Sequence, residues 1–455
     1  PLLSSLKNRA LREKVMRNSL LKGSRKNEND TQDILLQMVK LRTERAQLFG
    51  LSTHAEFVLQ EQTAGKPENV HAMLKKLAPA AVKNAQREGE DIQSIINREA
   101  SHELASWDWG FYTEKVRAEK YSLDTAAMKP YFELERVLKN GVFFAAQKLY
   151  GLTFKERPDL LAYHPEARVF EVFNEDGSAV GLYIGDFYTR DSKRGGAWMN
   201  SLVKQSKLLN QKPVVVNNMN VSKPPQGEPT LLSYDETTTL FHEFGHAIHG
   251  LLSDVTYPRV SGTAVQRDFV EFPSQVNEMW ILWPEVLDNY AIHYQTGERL
   301  PQEWVDKLNE SATFNEGHAT TSYLAAAVLD LAWHSLDGTQ NIANVEEFEA
   351  QAIRDYGLHY SPVPTRYRST YFSHIFAGGY SAGYYGYIWS EVLDADTVEW
   401  FKENGGLTRK NGDHFRNTLM SRGGSVDSMQ MFRNFRGRDA QIEPLLRRRG
   451  LLNNE

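Results

Sequence analysis

From Leu2 to about Tyr150, apolar residues recur at spacings of three and four among charged ones, the period of amphipathic helices. The stretch Thr31 to Phe49 is a clear case and closes on Gly50, a helix-stopping residue. Thr53 followed three residues later by Glu56 predicts a capping box, and Pro67 opens a further helical run that reaches about Ala100. Between Arg168 and Asp186 the composition turns β-branched and aromatic around Asn174, Glu175, Asp176 and Gly177, which predicts a hairpin. Val214, Val215 and Val216 predict one more strand. After the Pro- and Gly-rich loop Ser222 to Pro229, helical periodicity returns for most of the remaining length. The expected fold is mostly α-helical, with a helical region over 1–160 and a region over 161–455 that carries one small sheet.

Composition narrows the function classes. The chain has 455 residues, 41% hydrophobic and 24% charged, enough to bury a substantial core divided between two lobes. Lys and Arg total 52 against 58 Asp and Glu, a formal charge of -6 without long single-sign runs, so no electrostatic footprint for nucleic acid is present. With no cysteine, disulfides, thiolate metal sites and a thiol nucleophile are excluded, and His and carboxylates remain as the strong metal ligands. No apolar run approaches the roughly 20 residues of a membrane span, and the start lacks the layout of a secretory leader. The expectation is a soluble protein without membrane partners. Pro1 and the helical character of the opening residues fit a chain that begins inside a longer polypeptide.

The segment from Thr239 reads Thr-Leu-Phe-His-Glu-Phe-Gly-His-Ala-Ile-His, in which His242, Glu243 and His246 make the H-E-x-x-H pattern. Two imidazoles four residues apart on a helix share a face and can reach one metal ion. Glu243, next to the first ligand, sits where a general base can hold a metal-bound water. Ser233 and Glu236 predict the capping box that starts this helix, and Phe241, Phe244, Ile248 and Leu251 give it an apolar side. A chance occurrence in an ordinary helix is the competing reading, at roughly one chain in a hundred of this length. A catalytic zinc needs a third protein ligand and an open position. His249 and Leu252 stand where the metzincin pattern needs Gly and His, so the third ligand is sought among Asp268, Glu271 and Glu278. Glu271 is preferred, because Glu278 suits an outer partner to a ligand histidine. His249 shares the face of His242 and His246, and we read it as a packed or outer histidine rather than a fourth ligand.

The blocks Phe241 to His246 and Ser261 to Glu278, with Ser-Gly-Thr followed by Asp-Phe-Val-Glu-Phe-Pro-Ser-Gln, resemble the thimet oligopeptidase family of zinc metallopeptidases, most closely its bacterial dipeptidyl carboxypeptidase branch. The resemblance runs along essentially the whole chain, although family members are longer at the N-terminus. It implies a two-lobed helical metallopeptidase with a deep substrate channel, one Zn2+ held by His242, His246 and Glu271, and short peptides as substrates.

In the segment His374 to Trp389, Tyr380, Tyr384 and Tyr387 fall at helical spacing, which read alone means core packing more often than catalysis. The resemblance implies that His374, Tyr380 and Tyr387 contact the oxyanion or the substrate, with Tyr387 as the oxyanion donor; Tyr384 is expected to bind substrate with Tyr380. Release of a C-terminal dipeptide calls for a cation to hold the free carboxylate. Arg366 and Arg368 are the candidates, with Arg190 and Lys193 behind them. The hairpin could also bind an extended peptide along its edge. The expected activity is zinc-dependent release of C-terminal dipeptides by a cytoplasmic monomer. The alternatives are an endo-acting oligopeptidase of the same family and a noncatalytic zinc- or peptide-binding scaffold.

Overall fold

The computed structural model describes residues 2–121 and 125–452. The chain divides into two compact units, one of Pro1–Leu123, Lys307–Ile388 and Leu445–Glu455, the other of Asp124–Asp306 and Trp389–Pro444.

The first unit is helical. Its capping box forms: the Glu56 backbone N–H donates to Thr53 Oγ1 at 3.1 Å, and Glu56 Oε2 accepts from the Thr53 N–H at 3.2 Å. The helix Pro67–Glu99 starts with proline in its first turn and buries Val70, Leu74, Leu77, Ala81, Ala85, Ile92 and Ile96, the stripe expected of an amphipathic helix. Against it lies Glu316–His334, buried along nearly its whole length as an apolar-all-round helix must be. A side chain at Gly317 would collide with the backbone of Asn84 and Ala85, so this crossing needs glycine.

The second unit holds a five-stranded sheet: β1 (Thr153–Glu156), β2 (Arg168–Phe173), β3 (Ala179–Tyr188), β4 (Trp198–Val203) and β5 (Val214–Val221), in the order β1-β2-β3-β5-β4. All neighbours are antiparallel except β3 and β5. The expected hairpin is β2–β3. Its turn closes with the Asn174 N–H donating to the Ser178 carbonyl at 2.8 Å, and Gly177 takes the left-handed φ of +80° that a side chain disfavours. The expected strand at Val214 continues to Val221. The pattern missed β1 and β4, the first short and largely exposed, the second interleaved with polar residues.

One expectation is corrected here. The hairpin has no free edge, because β1 pairs with β2 and β5 pairs with β3, so an extended peptide cannot add to it. The outer strands are β1 and β4.

The helix Tyr234–Leu251 packs on β5, β4 and β3, placing the sheet beside the H-E-x-x-H segment. A side chain at Gly250 would run into Met199 and Val215, so glycine sets how closely the helix approaches the sheet. Among the described residues, no helix is long and apolar enough to cross a membrane.

Candidate active site

Ser233 caps the helix as its sequence predicts, with the Glu236 N–H donating to Ser233 Oγ at 3.1 Å and the Ser233 N–H to Glu236 Oε2 at 2.7 Å. The helix is then fixed from two sides through its own carbonyl groups. Asn217 Nδ2, from β5, donates to the Glu243 carbonyl, and Asn277 Nδ2 donates to the Phe241 carbonyl, each at 2.7 Å. Gly245 lets a second helix, Phe272–Glu278, come close, since a Cβ there would lie 2.6 Å from Ser274 Cα. Glu271 occupies the N-cap position of that second helix, where close approach delivers its carboxylate to the histidines.

Three ligand atoms converge as a result. His242, His246 and Glu271 each offer one atom within 4.8 Å of the others. Glu271 Oε2 lies 3.2 Å from His246 Nε2 and 3.4 Å from His242 Nε2. On the opposite side of the ring, His242 Nδ1 is 2.7 Å from Glu278 Oε1, the kind of carboxylate contact that fixes the orientation of an imidazole. Burial alone would lower the His242 pKa, but its bonds to Glu271 and Glu278 outweigh it and push the value up to about 10. Glu271 is penalised by burial, yet the two histidines hold it well below the usual carboxylate range. Asp268, the third carboxylate considered, is buried and does not join the converging set.

Glu243 is buried, and its Oε2 has no hydrogen-bond partner among the described residues. Burial raises its pKa, with His246 and His242 opposing and Glu271 adding to the rise. Two imidazole nitrogens and one carboxylate oxygen, with an unbonded carboxylate oxygen on the residue following the first ligand, fit one zinc ion with an open coordination position. His249 is fully buried with neither ring nitrogen bonded, and burial pushes its pKa down to about 3, which keeps it neutral.

The family model of peptidase family M3 matches residues 2–451. The chain belongs to peptidase family M3. Within that family it is 44% identical to the dipeptidyl carboxypeptidase of Escherichia coli (strain K12) over 99% of this chain and 66% of that protein. It is 35% identical to oligopeptidase A of Salmonella typhimurium over 99% of this chain and 67% of that protein. The chain therefore spans about two thirds of the length of these relatives. Among solved structures, a Pyrococcus furiosus carboxypeptidase superposes with a TM-score of 0.55 at 12% identity, covering 98% of this chain and 78% of that one, which marks a shared fold.

His374, Tyr380, Tyr384, Tyr387, Arg366 and Arg368 belong to the first unit. There Tyr380 and Tyr387 stack with ring centroids 5.2 Å apart, and Tyr384 lies 5.6 Å from Tyr387 and 5.4 Å from His374. Tyr384 is buried and burial pushes its pKa up to about 12, whereas Tyr380, Tyr387 and His374 are half-buried. Burial and the charge of Arg366 lower the His374 pKa. Arg366 is exposed. Arg368 is paired with the buried Glu349.

In the second unit, Arg190 and Lys193 are engaged by Asp186, which is wholly buried. Arg190 bonds both carboxylate oxygens at 2.8 Å, Lys193 Nζ lies 3.0 Å from one, and Tyr163 donates to the other at 2.8 Å. Sequence reasoning missed Asp186, Asn217 and Asn277. The only signal for them was a polar residue inside an otherwise apolar strand or helix stretch.

Proposed function

We propose that this chain carries the catalytic machinery of a zinc-dependent peptidase that releases dipeptides from the C-terminus of short peptides. The observation that carries this reading is the convergence of His242, His246 and Glu271 next to the buried, unbonded carboxylate oxygen of Glu243. Identity of 44% to a dipeptidyl carboxypeptidase, against 35% to oligopeptidase A, favours the exo-acting form. The lack of cysteine suits a reducing compartment such as the cytoplasm.

A zinc ion bound by His242, His246 and Glu271 would supply Lewis acidity, which activates water and polarises the scissile carbonyl. The remaining chemistry belongs to the chain. Glu243, ionised, takes the proton from the attacking water as the C–O bond forms, and hands it to the departing amine as the C–N bond breaks. A carboxylate whose pKa is raised by burial is a stronger base than one in water, which suits this task. Tyr387 donates its phenol hydrogen to the oxyanion that develops, a role the family resemblance assigns. His374, held neutral, keeps one N–H to donate to substrate, and Tyr380 supports the Tyr387 ring by stacking on it. Arg366 is the cation we assign to the terminal carboxylate.

The test is mass spectrometry of products from one peptide offered with a free and with an amidated C-terminus, each with and without chelator. Stepwise loss of dipeptides from the free form alone, abolished by chelator, is expected. Internal cleavage of both forms would replace this reading with an endo-acting oligopeptidase. Zinc uptake without cleavage of either form would replace it with a binding scaffold.

A further inference from the structure

Asp330 lies one turn before the end of the buried helix Glu316–His334, between Leu329 and Leu331, and is itself 1% exposed. A carboxylate in such a place is strongly destabilising unless it is paired and fully hydrogen-bonded. Both oxygens accept from one separate segment. Asp330 Oδ1 accepts from the backbone N–H of Ala382, and Oδ2 from that of Tyr384, both at 2.8 Å. The Tyr384 carbonyl accepts from the Tyr323 hydroxyl at 2.6 Å. These are the residues between Tyr380 and Tyr387.

Behind the carboxylate stands a polar stack within the same unit. His334 Nδ1 is 2.8 Å from Asp330 Oδ1, and Arg42 Nη1 is 2.8 Å from His334 Nε2. A guanidinium can only donate, so Nε2 is the acceptor and the His334 proton sits on Nδ1, pointed at Asp330. Arg42 also donates to the Ile375 carbonyl at 2.8 Å, reaching the start of the same segment. His54 Nε2 is 3.0 Å from Ser381 Oγ, and burial pushes its pKa down to about 3, so it stays neutral and adds no charge.

The held turn is strained. Ala382 has a φ of +53°, a left-handed conformation disfavoured for a residue with a Cβ. Two hydrogen bonds to the two oxygens of the Asp330 side chain, one on either side of Gly383, oppose that strain.

We infer that Asp330, supported by His334 and Arg42, is a positioning residue that fixes the 380–387 backbone in the strained turn from which Tyr387 is presented. The inference rests on the proposed role of Tyr387 as oxyanion donor. A carboxylate serving only to stabilise the helix would not need acceptor bonds from two alternate residues of a separate segment.

Asp330→Asn tests it. The amide keeps one acceptor oxygen and turns an N–H toward the second backbone N–H, so one of the two clamps is lost with little change in volume. In the zinc-loaded enzyme, kcat should fall about 10- to 100-fold with KM nearly unchanged, the effect of a misplaced catalytic group. Amide hydrogen exchange of the peptide spanning 380–388 should accelerate, while that of 234–251 stays as in the parent. In a Tyr387→Phe background the added loss in kcat from Asp330→Asn should shrink to less than about threefold, because the group being positioned is gone. An undiminished, multiplicative loss there, or unchanged exchange at 380–388, overturns the inference. If Tyr387→Phe alone leaves kcat intact, the proposed role of Tyr387 fails, and the exchange measurement alone decides whether Asp330 holds the turn. Should Asp330→Asn fail to fold, His334→Asn, whose amide can keep an N–H near the Nδ1 position for Asp330 but is too short to reach Arg42, must show the same coupling and the same faster exchange.

Discussion

His242 Nδ1 stands 2.7 Å from Glu278 Oε1, while the opposite ring nitrogen faces Glu271 Oε2 at 3.4 Å. The ring is held between two carboxylates, one of them at the converging ligand set and one outside it. Glu278→Gln removes the outer charge while keeping an acceptor oxygen, so the ring keeps its tautomer but loses basicity. Metal affinity should drop about 10- to 100-fold, as for other outer partners of ligand histidines. Competition with a calibrated chelator measures this directly, and unchanged affinity would remove Glu278 from the site. The same pair sets a pH dependence. In the metal-free protein His242 holds its proton up to about pH 10, so below that pH metal binding must expel the proton, and affinity should rise with pH between 6 and 8.

Glu243→Gln and His246→Ala separate chemistry from metal binding. Gln at 243 keeps the shape of the buried side chain but cannot accept a proton, so the variant should retain stoichiometric metal and lose turnover by about three orders of magnitude or more. His246→Ala removes a converging ligand and should lose both. Metal analysis beside kcat on the two variants decides the matter, and an active Glu243→Gln enzyme would end the general-base assignment.

The H-E-x-x-H helix could be read from the chain because everything that makes it is local: a capping box, an apolar stripe, and two histidines one turn apart. Glu271 and Glu278 were legible as acidic residues of the following segment, with Glu271 preferred as ligand and Glu278 as outer partner, but not what brings them to the histidines: Gly245, whose missing Cβ allows the close approach of the second helix. The edge of the β2–β3 hairpin was misread for the complementary reason. Strand pairing is long-range: β1 carried no strong local pattern, and the pattern that announced β5 as a strand could not say which strand it pairs with. Asp330 was invisible in the same way, the one charged residue of the otherwise apolar stretch Leu324 to Trp333, whose partners lie about fifty residues later.

Asp186 gives a stability prediction with a definite sign. Burial would raise its pKa, but bonds from Arg190, Lys193 and Tyr163 bring it down to about 2 from 3.8. A depressed folded-state pKa means the group stabilises the fold above the unfolded value and loses that contribution as pH falls from about 4 toward 2. Asp186→Asn leaves Arg190 and Lys193 without their counter-charge and should cost about 3–5 kcal/mol near neutral pH. Denaturant unfolding of parent and variant should give a gap that narrows as pH is lowered through that window. A gap independent of pH would mean that packing, not the carboxylate charge, holds this corner of the sheet.

Arg366 and Arg368 lie two residues apart and should behave oppositely. Arg368 is paired with the buried Glu349, so Arg368→Ala leaves an uncompensated buried carboxylate and should lower stability without discriminating between substrates. Arg366 is exposed and pairs with no carboxylate among the described residues, which leaves its guanidinium able to take up a carboxylate from a ligand. A hydrogen bond to a charged group contributes about 1.5–3 kcal/mol, so Arg366→Ala should lower kcat/KM for a free-acid peptide by roughly 10- to 150-fold. The amidated peptide, which has no charge to lose, should be turned over at an unchanged rate, however slow. Steady-state kinetics on the matched pair of peptides gives the answer. An equal fall for both peptides would make Arg366 a general substrate contact, and no fall for either would send the search for the carboxylate anchor elsewhere in the chain.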